Sequence, residues 1–502
     1  MSYDNVNKAL EKLAELEATM SAYQHAMNVM SVDASTAAPA DSAQARGKAM
    51  AVLSGVVYGL VANPQSRELG EYLMAHKDEL CERDARRAQL WLKSCSQLSR
   101  IPQEEYVAYQ VLLNDADGIW RKAKNANDFD SFAPVLEQIV EYNRKFAGYY
   151  NPDIPAYDAL LNEYEEGLTM QTLDAFFASL RMALVPLVHA IAEAPKVEDA
   201  FLHAFYPIEK QREFSDYLMQ VMGIDKDRCA IAETEHPFTA GMNNHDVRIT
   251  THYYEHDVSS SMFSVIHEGG HALYELGGAD ENNGTLLMGG AAMSIHESQS
   301  RFYENIVGRS MAFVQMIYPK MQELFPEQME GVSVEALHRA VNRVEPSLIR
   351  TEADEMTYPM HIMIRYELEK QLIAGTLSVR DLPAAWNALT KEYLGVDVPD
   401  DAHGCLQDTH WAGGLFGYFP SYALGSAYAA QMLAVMEKEI GQVEKLVAGG
   451  ELSKVTEWLR THIHTYGCLY NPGELFERCC GKFDAKYYVD YLTNKYTAIY
   501  GL

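Results

Sequence analysis

The sequence predicts a mainly α fold with one small β-sheet, placed just ahead of its most chemically loaded segment. Three observations predict it. Apolar residues recur at helical spacing along most of the 502 residues. One stretch, residues 230–254, breaks that pattern with Pro, Gly, Asn-Asn and short alternating runs. No internal repeat or low-complexity linker divides the chain, which is long enough to bury a large core as one domain or as two lobes.

Taken in order, the first element is a long helix. Val6, Leu10, Leu13, Leu16, Met20, Tyr23 and Met27 form a near-heptad stripe on one face. Met1 to Asn5 lead straight into it with no basic start and no apolar run, which predicts no secretory signal. Helical patterns follow over 51–61, 84–97, 103–124, 131–150 and 171–188. They return over 302–320, 334–341, 357–373 and 428–446. Between these groups, residues 236–239 and 246–251 read as two strands around Met242-Asn243-Asn244. Residues 412–436 carry no charge, long enough to suggest a membrane span, but hold Gly413, Gly414, Gly417, Pro420 and Gly425 among Tyr, Ser and Gln. A buried cleft wall fits that composition better than lipid contact.

Forty-one basic against 70 acidic residues give a net charge of −29. Nucleic-acid binding needs a basic footprint, and anionic membrane surfaces repel such a chain, so neither is an expected partner. Seven cysteines, odd in number, irregularly spaced and without a C-x-x-C, read as reduced thiols in a cytoplasmic protein.

The chemistry concentrates at His267-Glu268-Gly269-Gly270-His271. Two imidazoles four apart lie on one helix face, about one turn from each other, and can reach one metal ion. Glu268 beside them can hold a water and take its proton. This is the H-E-x-x-H pattern of zinc hydrolases. Ser259, Ser260 and Ser261 offer N-caps, apolar residues from Met262 to Leu276 supply buried faces, and Gly277-Gly278 supply a stop. Two buried His and a Glu would be costly there without a metal. A preceding edge strand can hold an extended peptide across the ion by main-chain hydrogen bonds.

Catalytic zinc usually takes a third protein ligand. Gly289-Gly290 and Ser294 mark the start of a second helix that carries Glu297 early, and a Glu there completes a His₂Glu set. His296 is the alternative. Glu304, about two turns beyond Glu297, can support the ligands from behind or pair with Arg301. His462 and His464 read as exposed loop histidines rather than a second metal pair.

Six blocks in one order resemble the carboxypeptidase Taq family of metallocarboxypeptidases. They are His236-Pro237-Phe238, Asp246 to Thr250, His267 to His271, His296-Glu297-Ser298-Gln299, Ile349 to Asp354 and Gly404 to Trp411. The N-terminal third departs from the family. Val32 to Pro39 keep the Asp, Thr and Pro of the family's early block but lack its Trp and Met. The resemblance implies a two-lobed helical metallopeptidase with a deep central groove and a small β-sheet at the active site, commonly a homodimer. It spans 1–502 as one catalytic domain, with a helical part to about 229 and the metal-site and groove part beyond. It implies removal of single C-terminal residues from peptides, with Zn2+ or sometimes Co2+ bound. On this basis Glu268 is the general base, and His410 and Tyr422 face the metal as donors to the developing negative charge. Arg350 reads the substrate carboxylate through a bidentate fork, with a structural salt bridge to Glu352, Asp354 or Glu355 as its rival role. Arg248 limits substrate length, with an ion pair to Asp246 as the rival. His236 either lines the metal pocket or caps the sheet. Rival functions are an oligopeptidase, a dipeptidyl carboxypeptidase, or a non-catalytic metal-binding scaffold. An aminopeptidase is disfavoured, because no Gly-x-Met-Glu-Asn block precedes the helix.

Overall fold

The computed structural model describes residues 5–502, with the side chains of 97–99 set aside. The reading of Met1 to Asp4 falls outside the described residues. The chain is mainly helical around one small sheet. The stripe from Val6 becomes the helix Val6–Thr36, capped by Asn5. With helices Ala43–Val61, Pro64–Ala75 and Glu82–Arg100 it forms a satellite core around Leu13, Leu69, Leu73 and Trp91. Buried Glu17 pairs with Arg87 and accepts the Leu286 amide at 3.1 Å, tying this bundle to the segment between the two site helices.

From Gln103 onward the helices share one large core. The helix Met170–Ala192 is long and apolar enough to cross a membrane. Its Leu173, Phe176, Phe177, Leu180, Leu184 and Val188 form one face buried within the protein. The uncharged run resolves into an irregular loop followed by the helix Pro420–Ile440, here called the wall helix, with most of its first four turns buried.

Three strands form the sheet: β1 (Cys229–Glu233), β2 (Thr239–Asn243) and β3 (Asp246–Thr251), in the order β1-β3-β2. β1 runs parallel to β3, and β2 antiparallel to it. The pattern over 246–251 gave β3 its bounds. The first strand begins three residues later than 236, because Pro237 has no N–H for the ladder, and the turn falls at Asn244-His245. β1 had no clear alternation. It pairs on one side only, so its outward residues need not be apolar. The pattern over 302–320 also splits: Phe302–Val307 is π-helical, and a new helix begins at Met311.

Candidate active site

Behind β3 and β2 runs the motif helix, Val258–Leu276. Its cap is Asp257, one residue ahead of the three-serine run that the sequence favoured. The Asp257 carboxylate accepts the Ser259 and Ser260 amides at 3.0 and 3.2 Å, satisfying two N–H groups that no serine in the run could reach from inside the helix. Gly277 ends the helix as expected.

The second site helix, Met293–Arg301, packs between the motif helix and the wall helix. Two glycines allow this. A Cβ on Gly270 would lie 2.7 Å from the Ser300 backbone, and a Cβ on Gly425 would collide with the Cβ of Glu297. Without side chains at those positions, three helix backbones close on Glu297 from both sides.

One ligand atom each from His267, His271 and Glu297 lies within 4.8 Å of the other two. Their outer contacts already orient them. With Nε2 of both imidazoles left free to bind, His267 Nδ1–H donates to Glu304 Oε2 at 2.8 Å, and His271 Nδ1–H donates to His296 Nδ1 at 3.0 Å. His296 Nε2–H in turn donates to Glu275 Oε1 at 2.8 Å. Both ring nitrogens of His296 are therefore engaged behind His271. Glu304 sits in the π-helical segment and also accepts from Arg301 at 3.1 Å and Arg309 at 3.2 Å. Burial works against its charge, yet Arg301, His267 and Arg309 hold its carboxyl far below the usual range.

Two imidazoles and a carboxylate, withdrawn from water and facing one another, suit a divalent cation. Burial, reinforced by His267 and His296, pushes the His271 imidazole well below its ordinary value, so that it is neutral and ready to coordinate. Glu268 is buried on the same helix, and burial raises its carboxyl. Its Oε2 accepts the Thr239 hydroxyl of β2 at 2.6 Å.

A second constellation gathers around Arg350 and reaches the ligands through Tyr358 and Arg301. Arg350 is buried, its Nε and Nη2 donating to Asp408 Oδ1 at 3.1 and 2.9 Å and its Nη1 to the Tyr358 hydroxyl at 3.2 Å. The salt-bridge partner is thus Asp408, not Glu352, Asp354 or Glu355. Arg365 binds the other oxygen of the same Asp408, at 2.7 Å through Nε. Two guanidiniums sharing one carboxylate leave a net positive charge. The rings of Tyr422 and Phe419 lie 5.3 and 5.6 Å from the Arg350 guanidinium. Tyr358 connects the two constellations: its ring stacks under Arg301 at 4.4 Å, and Arg301 donates to Glu297 at 3.3 Å. Arg301, Glu304 and Tyr358 also line a cavity of about 530 Å³.

His410 Nε2 and the Tyr422 hydroxyl are 3.5 Å apart, and Tyr422 lies on the wall helix one turn before Gly425. Burial pushes the His410 imidazole down to about 4 and raises the Tyr422 phenol, so both are neutral donors near pH 7. The structure thus gathers His267, Glu268, His271, Glu297, Arg350, His410 and Tyr422 around the two site helices. Arg248 pairs with Asp246, its Nη2 donating to Oδ2 at 3.0 Å, as the rival reading had it. His236 is exposed on the β1–β2 connection, outside the contacts that bind the cluster together. His464 is no exposed loop residue. It is buried, bonded to Gln299 at 2.9 Å, and burial pushes it down to about 3. His462 stacks on Trp458 at 4.2 Å.

Sequence reasoning missed Thr239, Glu275 and the shared role of Asp408. Glu275 had a signal, being one turn beyond His271 on the same helix. Thr239 had none, because it meets Glu268 only through the sheet.

Residues 12–496 match the family model described as carboxypeptidase Taq (M32) metallopeptidase. Carboxypeptidase 1 of Bacillus subtilis (strain 168) is 40% identical over 483 residues, covering 96% of each chain. Thermostable carboxypeptidase 1 of Thermus thermophilus is 38% identical over 485 residues, covering 93% of this chain and 94% of that one. The crystal structure of the M32 carboxypeptidase from Deinococcus radiodurans R1 superposes with a TM-score of 0.96 at 36% identity, over 99% of this chain and 100% of that one.

Proposed function

Since this chain belongs to the carboxypeptidase Taq (M32) family of metallopeptidases, and is therefore a metallocarboxypeptidase, we propose the following assignment of its chemistry. His267, His271 and Glu297 hold the divalent metal, Zn2+ in the first place and Co2+ as a substitute. When bound, such an ion polarises the scissile carbonyl and lowers the pKa of a water toward about 7. Glu268 takes the proton of the attacking water and passes one to the leaving amine. Its hydrogen bond from Thr239 fixes which carboxylate oxygen is left to do so. The Tyr422 hydroxyl and His410 N–H donate to the carbonyl oxygen as it gains charge. The free edge of β2 pairs with the extended peptide.

The observation that carries exopeptidase recognition is the net positive charge of Arg350 and Arg365 over Asp408. Arg350 reads the peptide's terminal carboxylate, sharing its guanidinium between Asp408 and the substrate. The cavity beside Tyr358 takes the departing residue. Arg248 and His236 are outer substrate contacts, and the Asp246 partner of Arg248 would have to be shared with the peptide. We place the enzyme in the cytoplasm on its seven unpaired cysteines, and as a homodimer by family resemblance.

A cleavage ladder on one defined peptide tests this. Successive single-residue losses are expected, and internal cuts or dipeptide release would favour an oligopeptidase or dipeptidyl carboxypeptidase. Amidating the peptide's C-terminus is expected to depress kcat/KM about 100-fold in the wild type. In Arg350→Ala the two peptides should be turned over alike. Equal rates for both peptides in the wild type would remove the role of Arg350.

A further inference from the structure

We propose that Arg365 and Glu369, one turn apart on the helix Tyr358–Ala374, clamp the loop 404–419 at two points and thereby govern two separate steps: Arg365 the placement of Arg350, and Glu369 the placement of His410. The proposal rests on the roles given above to Arg350 and His410.

The loop has no regular structure, yet it supplies Asp408 and His410 and feeds directly into the wall helix. Irregular backbone at an active site needs outside anchors to hold a side chain within a fraction of an ångström. Here the anchors are two fully buried ionisable side chains. Arg365 Nε donates to Asp408 Oδ2 at 2.7 Å, its Nη2 to Gln407 Oε1 at 2.8 Å, and its Nη1 to the His361 carbonyl of its own helix at 2.7 Å. Glu369 accepts the Trp411 indole N–H at 2.7 Å, the Gly417 amide at 2.8 Å and the Tyr157 hydroxyl at 2.7 Å.

A helix packed only for stability would carry apolar residues here, because burying an ionisable group costs more than burying an apolar side chain of the same size. What the two side chains hold is specific. The Arg365 end grips Gln407 and Asp408, and these in turn hold Arg350: Gln407 Oε1 accepts the Arg350 amide at 2.9 Å, and Asp408 accepts its guanidinium. The Glu369 end grips Trp411 and Gly417, which bracket the turn where the Leu415 amide donates to the His410 carbonyl at 2.9 Å. Arg365 and Glu369 are positioning residues. Neither touches the ligand cluster, and each acts through a different loop residue.

The test is steady-state kinetics on a peptide with a free C-terminus and on its amide, with kcat expressed per mole of bound metal. Glu369→Gln keeps the shape but fixes an NH2 donor against one of these three donors, a conflict that the carboxyl relieves by losing its proton. It is expected to lower kcat about ten-fold while KM stays within about two-fold. Arg365→Lys is expected to raise KM for the free-acid peptide about ten-fold, with little change in kcat and a reduced preference for acid over amide. Should either variant fold poorly, Trp411→Phe and Gln407→Met weaken the same two ends from the loop side and are expected to reproduce the two signatures. Equal fractional changes in kcat and KM at both ends, or a drop in Tm with unchanged kinetics, would overturn the clamp. If Arg350→Ala retains full acid-over-amide preference, the fault lies with the carboxylate reading, and the kcat loss at Glu369 and Trp411 then decides the clamp by itself.

Discussion

The ligand face and the loop-bearing wall carry opposite electrostatic needs. The ligand face brings Glu268, Glu275, Glu297 and Glu304 together with two arginines, Arg301 and Arg309. It has negative charge to spare and, in His271, an imidazole that burial keeps neutral, while the Glu304 hydrogen bond and the charge of Glu297 outweigh burial and raise His267; it is a face that suits a cation. The wall sets Arg350 and Arg365 against one ionised Asp408, while burial pushes Glu369 up to about 7. That face has positive charge to spare and waits for an anion. In the proposed assignment a peptide C-terminus lies between the two, with its last peptide carbonyl toward the cation and its carboxylate toward the guanidiniums. On that reading neither face alone would specify a carboxypeptidase: the first would be a general hydrolase site, and the second would restrict it to a chain end.

The largest effect that tests this contrast falls on the ligand face. Glu268→Gln removes the proton carrier and should lower kcat on the order of 10³-fold or more, leaving metal content by elemental analysis near one ion per chain. Retained turnover would mean that the base lies elsewhere.

A smaller effect separates the faces. Glu304→Gln loosens the orientation of His267 and removes a charge that balances Arg301 and Arg309. Metal affinity, measured by competition with a chelator, should fall roughly 10- to 100-fold. Arg350→Ala should leave that affinity within about two-fold, since Arg350 reaches the ligands through intervening side chains such as Tyr358 and Arg301 and not by a direct hydrogen bond. If both variants weakened metal binding alike, the two faces would be one coupled network and the contrast would fail.

The same contrast explains what could be read from the chain. The ligand face was legible because helical geometry turns spacing into proximity: His267 and His271 share a helix face, and Glu297 follows on the next helix. Helix ends were less so. Asp257 displaced the serines as cap, and the π-helical turn that seats Glu304 against His267 carries no periodic signature. The wall was legible only as separate blocks. Arg350 and Asp408 lie far apart in sequence and meet through an irregular loop, so spacing could offer Glu352, Asp354 or Glu355 as partners and be wrong about all three. Arg365 and Glu369 lay inside a helix whose apolar residues ring it on every side, with almost no amphipathic stripe to say which polar residues face inward.

The smallest effect lies in stability. Glu369 is surrounded by the Tyr157, Trp411 and Gly417 donors and feels the charge of Arg365, yet burial outweighs them and raises its carboxyl to about 7. A carboxyl raised on folding binds its proton more tightly in the native state. The native state therefore holds more protons than the unfolded chain from about pH 4.5 to about 7, and stability contributed there is lost as pH rises. Asp408 behaves oppositely. Arg365 and Arg350 depress it despite burial, so its contribution is complete above the unfolded Asp value and lost only in stronger acid. Glu369→Gln cannot titrate. The wild type should therefore lose stability relative to this variant between pH 5 and pH 8, by on the order of 2 kcal/mol, read as the difference in urea midpoints. A difference that instead stayed flat over that interval would show that Glu369 is ionised throughout. The wall would then carry a second buried anion, and its surplus of positive charge, which distinguishes it from the ligand face, would be gone.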